Sequence, residues 1–225
     1  MRNAEVIVRA PNYVATAYIE KLIQLKLPWL KEKIAQQIQN PPTNQGLVLE
    51  FVDEQLSNTP TILIDGLTHK LDIKFGTQAM IYNREEQRLT VVLSTRYKNA
   101  DLNSIAVLTK VKSQIEVWFK AHIEGYLQKN LAIFYAQMSL QPSSYKVRKY
   151  KARWGSCNNR GELSFNSLLK MVPSSVVDYV IVHELAHLKY MNHSAHFWQL
   201  VKQHYPEFQS AKSWLKQHQA VLNWQ

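Results

Sequence analysis

The chain is poor in the residues that build covalent frameworks. It has one cysteine, Cys157, in 225 residues, which excludes an intrachain disulfide and fits a reducing compartment. The same scarcity argues against a closed structural zinc site, since those draw on several thiolates. No run approaches eighteen apolar residues, and Met1 to Ala10 contain no apolar signal core, so a cytoplasmic protein without a membrane span is expected. A Walker-type glycine loop, internal repeats, low-complexity tracts and acidic tails are all missing. Acidic residues are few as well. Seventeen Asp and Glu stand against 27 Lys and Arg, a net charge of +10, which favours an anionic partner such as nucleic acid, a nucleotide or an acidic protein surface. What is plentiful is apolar: 46% of residues, enough for a normal core in one domain or two small ones.

The most informative stretch is His183-Glu184-Leu185-Ala186-His187. Residues four apart share a helix face, so His183 and His187 can offer two imidazoles to one ion, with Glu184 leaning over its open side. A catalytic zinc needs three protein ligands and keeps one position for water, whose pKa falls to roughly 7. His193 is the nearest third donor, provided the helix stops within about two turns and the chain leaves it through Asn192, with Ser194 capping the next helix. His196 is the close competitor and Glu207 the distant one. Val176, Val177, Tyr179, Val180, Ile181, Leu185, Ala186 and Leu188 make the flanks apolar, as in a helix at the centre of a domain. Unpaired polar groups there would be costly, and a metal accounts for all three.

Along the chain, residues 11 to 39 read as two helical segments with a kink or break at Pro28, followed by a loop from Asn40 to Gly46. Period-two alternation then marks strands at 47–52, 61–64, 67–75, 78–82 and 88–93, with Asp65-Gly66 as a hairpin turn. An antiparallel sheet is expected, and His69 falls on its apolar face as a satisfied core histidine. Residues 101 to 139 carry an apolar stripe from Ile105 to Met138, a long helix or two in succession with Gly125 as a weak point. Strand character returns from 145 to 166, with a turn at Gly155 to Gly161. Pro173 and Ser174 open the motif helix, capped by Ser174 or Ser175. A helix over 194–205 and an amphipathic segment with Phe208, Trp214, Leu215 and Val221 close the chain.

Lys146, Arg148, Lys149, Lys151, Arg153 and Arg160 bring six positive charges into fifteen residues without an acid. They suit either a solvated hairpin face or a basic edge strand beside the motif helix, holding phosphate or an extended acidic segment.

The blocks Arg153-Trp154-Gly155-Ser156-Cys157, Gly161, Asn166, Pro173, Asp178-Tyr179-Val180, His183 to His187, and Asn192-His193-Ser194 with Phe197-Trp198 resemble the YgjP-like metallopeptidase domain family of bacterial predicted metal-dependent hydrolases. They are more distantly similar to the SprT and WLM zinc peptidases. The resemblance covers residues 145 to 205 firmly. It implies His183, His187 and His193 as metal ligands, Glu184 as general base, and the Arg153 to Asn166 segment close to the site. It does not settle the substrate, because the family also includes proteins linked to nucleoside triphosphate hydrolysis. Two features depart from metzincins: Tyr190 stands where their glycine follows the second histidine, and no methionine lies downstream of Met191.

The expectation is therefore an α+β protein, with an N-terminal helix and antiparallel β-sheet region over 1–98 and a zincin-like helical domain with a small β-hairpin or sheet and an HExxH active-site helix over 99–225. It would hold one zinc ion and hydrolyse amide bonds by metal-activated water. Arg153, Tyr205 and Asn166 are candidates for substrate binding, the first two as oxyanion donors. Two alternatives stay open. One is attack of the same water on a phosphoanhydride, and the other is a nucleic-acid-associated zinc protein. Cys157 reads as a turn cysteine rather than a nucleophile, because the metal already activates water.

Overall fold

The computed structural model describes residues 8, 10, 11, 13–39, 47–48 and 60–218. The chain parts into two units, 1–43 and 44–225. The first holds helix α1 (Thr16–Gln39), which runs through Pro28 without a break. Of the kink or break expected there, the break is absent: proline removes one backbone donor but need not end a helix. The Asn40–Gly46 loop, residues 49–52 of the first expected strand and Val221 lie outside the described residues.

The second unit contains two small sheets and the other four helices. Strands β1 (Leu47–Val48), β2 (Thr61–Ile64), β3 (Leu67–Gly76), β4 (Ala79–Asn83) and β5 (Arg88–Ser94) form a sheet of order β1-β2-β3-β5-β4. This sheet is mixed, which corrects the antiparallel expectation: β3 and β5 pair in parallel, Leu71 opposite Leu89 and Ile73 opposite Val91. Alternation reports which face a residue occupies and carries no information on strand direction. Asp65 and Gly66 both have positive φ, 52° and 82°, the requirement of a tight two-residue hairpin.

Helix α2 (Ile105–Met138) is one continuous helix of 34 residues through Gly125, capped by the Ser104 side chain and ended by Ser139 in the left-handed region. Its first half, Val107 to Phe119, packs on the five-stranded sheet, and its second half, Ile123 to Met138, packs on the helices that follow. The expected boundary near residue 98 falls just before this helix, which contributes to both cores. The second sheet joins β6 (Ser144–Arg148), β7 (Gly155–Cys157) and β8 (Glu162–Asn166) in the order β6-β8-β7, with β6 parallel and β7 antiparallel to β8.

A 3-10 turn at Ser167–Met171 leads into α3 (Ser174–Ala186), then α4 (Ala195–His204) and α5 (Phe208–Gln217). The β2–β3 hairpin is seated on this lead-in. Asp65 N–H donates to the Lys170 carbonyl at 2.8 Å and Gly66 N–H to that of Met171 at 3.0 Å. Lys170 Nζ donates to both Asp65 carboxylate oxygens at 2.7 Å. A methyl group on Gly66 would fall 2.5 Å from Pro173 Cγ, so the turn reaches the residue from which α3 starts. Pro173 itself is the N-cap, without a side-chain cap bond, so neither Ser174 nor Ser175 takes that role. Among the described residues no helix is long and apolar enough to cross a membrane.

Candidate metal centre

Helix α3 is buried along most of its length, and its apolar residues from Val176 to Ala186 form the middle of the larger core. Burying that many aliphatic side chains, at roughly 1.5–3 kcal/mol each, is what holds the helix in place. The helix ends at Ala186 with His187 as C-cap, earlier than the expected exit. Asn192 is not among the left-handed residues, which outside glycine are Asp65, Gln87 and Ser139 in the described part of the chain. The turn back is made instead by backbone bonds from Leu188, Lys189 and Tyr190 to Leu185 and Ala186. Ser194 then caps α4, its hydroxyl accepting from Phe197 N–H.

This path gathers three imidazoles. Donor atoms of His183, His187 and His193 all lie within 4.8 Å of one another, and Nε2 of His183 is 3.1 Å from Nε2 of His193. Two ring nitrogens at that distance need a proton or a cation between them. The opposite nitrogens are engaged: His183 Nδ1 is 3.4 Å from Tyr179 Oη, and His187 Nδ1 is 3.0 Å from the Tyr190 carbonyl. Phe197 fills the space beneath, its ring centroid 4.6–5.0 Å from all three imidazoles. His196 instead stacks on Tyr190 and Glu207 sits at the N-cap of α5, so neither joins the cluster.

Burial, the neighbouring His187 and His193 and the charge of Lys212 push His183 down to about 3. It is therefore neutral at physiological pH with a lone pair free, the state a metal requires. Burial also pushes Glu184 up to about 8, partly offset by Arg153. Glu184 is only 5% exposed, and its Oε2 has no hydrogen-bond partner. An orphaned buried carboxylate oxygen beside three converging imidazoles fits a divalent cation, which would reverse the electrostatic penalty on both.

Strand β7 forms the other wall. A methyl group on Gly155 would fall 2.5 Å from Glu184 Oε1 and 2.7 Å from its Cγ, so glycine is needed there for close approach. Gly155, Ser156, Cys157, Met191, Glu184 and the three histidines line an open cleft of about 290 Å³. Burial and the Glu184 charge raise the Cys157 thiol, the opposite of an activated nucleophile.

The three candidates for substrate binding fare differently. Asn166 is fully buried and braces the approach to β7: its amide donates to the carbonyls of Tyr150 and Arg153, and its oxygen accepts from Leu168 N–H. Tyr205 donates its phenol to the Ser175 carbonyl at 2.6 Å, in the first turn of α3. Neither lines the cleft. Arg153 does not line it either, but its charge bears on Glu184. The basic run is also divided. Lys146 and Arg148 lie on β6, the sheet edge opposite β7, Lys149 pairs with Glu116, and Arg160 pairs with Glu162 at 3.2 Å.

Tyr179 and Gly155 stand in the blocks that carry the family resemblance, but the motif logic gave neither a role at the site. Tyr179 stands four residues before His183, the spacing that separates the two histidines, so its helical face was readable. The block that contains Gly155 placed it near the site without saying what it does there. Its role depends on a strand and a helix that meet only in the folded chain.

The chain matches the YgjP-like metallopeptidase domain family over residues 1–218. No curated protein matches it, and no solved structure does.

Proposed function

The chain belongs to the YgjP-like metallopeptidase domain family, which implies a metal-dependent peptidase, and on that basis we propose a zinc peptidase of zincin type that cleaves amide bonds in the cleft between α3 and β7. The observation that carries this reading is the convergence of three imidazole donors, with Nδ1 of His183 and of His187 engaged elsewhere, beside the unpartnered carboxylate oxygen of Glu184. His183, His187 and His193 would hold the ion. A zinc ion bound there supplies Lewis-acid polarisation of a carbonyl and activates water at neutral pH.

The remaining work falls to the protein. Glu184 takes a proton from the attacking water at its carboxylate and hands it to the leaving amine. Its burial keeps bulk water from competing for that proton. Among the described residues β7 is an edge strand that pairs only with β8. Trp154 and Asn158 bond backbone to backbone with Asn166 and Glu162, so by strand alternation the peptide groups of Gly155 and Cys157 face away from β8. An extended peptide can add to that edge through main-chain hydrogen bonds, which favours an amide substrate over a phosphoanhydride.

Glu184→Gln keeps the shape of the side chain and removes the base. With metal content confirmed unchanged, kcat on a casein-type substrate should fall about 10²–10⁴-fold. A wild-type rate would sink the reading. A nucleoside triphosphate panel run beside the casein assay tests the phosphohydrolase alternative, which predicts product only from the nucleotides.

A further inference from the structure

Strand β7 is short, and an asparagine side chain fixes each of its ends. Upstream, Asn166 is fully buried at the end of β8. Its Nδ2 donates to the Tyr150 carbonyl at 3.0 Å and to the Arg153 carbonyl at 2.8 Å. Its Oδ1 accepts from Leu168 N–H at 3.1 Å and from Tyr150 N–H at 3.4 Å, and its own N–H donates to the Trp154 carbonyl at 2.8 Å. A carboxamide has two donors and two lone pairs, and all four are used. Among the described residues, 149–153 make no backbone-to-backbone hydrogen bond, so the main chain entering β7 is tied through this one side chain. Downstream, Asn158 Oδ1 accepts from Arg160 N–H and Glu162 N–H, both at 3.0 Å. Its Nδ2 donates to Glu162 Oε2 at 2.7 Å, and its N–H to the Glu162 carbonyl at 3.2 Å.

Between the two asparagines the ladder is brief: Gly155 opposite Phe165, Ser156 opposite Ser164 and Cys157 opposite Leu163. A strand that short opens at little cost unless its ends are held. The peptide groups of Gly155 and Cys157 face away from β8 and stand about 7 Å apart along the strand. They form the open edge, and Gly155 sets that edge against Glu184, where a methyl group would fall 2.5 Å from Oε1. Asn166 also caps the 3-10 turn that leads into α3. One carboxamide thus refers both walls of the cleft to the end of β8.

We propose that Asn166 and Asn158 are positioning residues that hold the open edge of β7 in register with the metal centre, so that the site selects substrates by the length of main chain laid along that edge. Neither side chain lines the cleft, and each acts through β7. A peptide that spans both open peptide groups gains main-chain hydrogen bonds that a blocked dipeptide cannot make. The length selection deepens the peptidase reading and rests on it, whereas the hold on β7 is tested without a substrate.

The first readout is amide hydrogen exchange in the full chain. Ser156 N–H faces β8 and should exchange about tenfold faster in Asn166→Asp, which keeps the size and the accepting oxygen but removes both donors, and in Asn158→Ala. Amides of α3 should keep their wild-type rates. Asn158→Asp retains the oxygen that accepts from Arg160 and Glu162 and should recover most of the protection. Asn158 lies on the exposed turn, so its variants decide the matter if Asn166→Asp fails to fold. The second readout is binding by calorimetry and steady-state hydrolysis, on zinc-loaded protein, of a blocked dipeptide and of a peptide that extends the same bond by about two residues on either side. Wild type should show a KM about tenfold lower for the longer peptide, the scale of one or two main-chain hydrogen bonds. Both Asn166→Asp and Asn158→Ala should lose that advantage through KM, with kcat and the dipeptide changed less than about twofold and zinc content unchanged. Unchanged exchange at Ser156, exchange that rises equally in α3 and β7, no length preference in wild type, or equal loss on both peptides overturns the proposal. Length-dependent binding without cleavage leaves the positioning role standing and removes the peptidase reading instead.

Discussion

Two histidines in different parts of this molecule, one buried and one partly buried, use their nitrogens in opposite ways. His69, in β3, is 1% exposed and satisfies both: Nδ1 with the Leu67 carbonyl at 2.9 Å and Nε2 with Tyr82 Oη at 3.2 Å. His183, in α3, engages one nitrogen with Tyr179 Oη and turns the other toward the Nε2 of His193. The sheet region closes its polar account with protein atoms, as buried groups ordinarily do. The α3 region leaves an imidazole pair face to face and a carboxylate oxygen unpartnered, and an unmet buried group costs about 1–3 kcal/mol. A histidine with one aimed and one anchored nitrogen is thus a ligand candidate, and one with both anchored is core.

The largest break in that contrast comes from removing a donor. His187→Ala should abolish stoichiometric zinc retention on dialysis and with it all hydrolysis, while the far-ultraviolet spectrum is preserved. His69→Ala should retain zinc in full. Metal analysis of the two proteins side by side checks this, and equal zinc in both would dissolve the distinction.

Gly155→Ala leaves the three histidines in place and acts on the carboxylate. The added methyl group falls 2.5, 2.7 and 2.8 Å from Glu184 Oε1, Cγ and Cδ, and at 5% exposure the side chain has little room to retreat. Restoring ordinary contact moves the carboxylate by close to an ångström, which costs on the order of 10²-fold in rate. Zinc content should stay at wild type. Steady-state kinetics with metal analysis separates this from loss of the ion.

Tyr179→Phe removes only the phenol that orients His183. The expected change is about a tenfold weaker zinc affinity, the lower end for groups that orient a ligand, read by competition with a chromogenic chelator. The Tyr179 phenol is pushed up to about 12 by burial and the Glu184 charge, so it remains a hydrogen-bonding group across the working pH range. An unchanged zinc affinity would reduce the contact to packing.

What could be read in advance follows from how local each feature is. The alternation around His69 and the Asp65-Gly66 turn are properties of a few adjacent residues, and each takes the expected form in the fold; the spacing of His183 and His187 is equally local, and their donor atoms lie within 4.8 Å of each other. Features set by distant contacts were not legible. The parallel pairing of β3 with β5 and the cap at Pro173 instead of Ser174 depend on what the segment packs against. Asn166 and Tyr205 show the same limit at the candidate site. Their sequence neighbourhood is that of the cleft, yet one ties down the Tyr150–Arg153 loop and the other the start of α3. Chemistry-bearing side chains close in sequence to a site are as often its scaffolding as its contents, and hydrogen-bond partners decide which.

The smallest expected effect on the site tests whether the two regions are independent. His69→Leu deletes the bonds to the Leu67 carbonyl and to Tyr82 and should lower stability by about 1–2 kcal/mol, seen as a shift in the urea midpoint at constant slope. Tyr82 is only partly buried, so its hydroxyl can turn to water, which keeps the loss at the low end. Zinc affinity should not move, although β3 begins at the hairpin whose Gly66 meets Pro173 at the start of α3. The reason is that the Asp65 and Gly66 amides donate to the Lys170 and Met171 carbonyls and the Asp65 carboxylate accepts from the Lys170 ammonium, whereas the His69 ring bonds to the Leu67 carbonyl and Tyr82. If His69→Leu weakens zinc binding as well, the hairpin transmits strain from the sheet into α3, and the separation between a satisfied core and an aimed site has to be redrawn as one coupled structure.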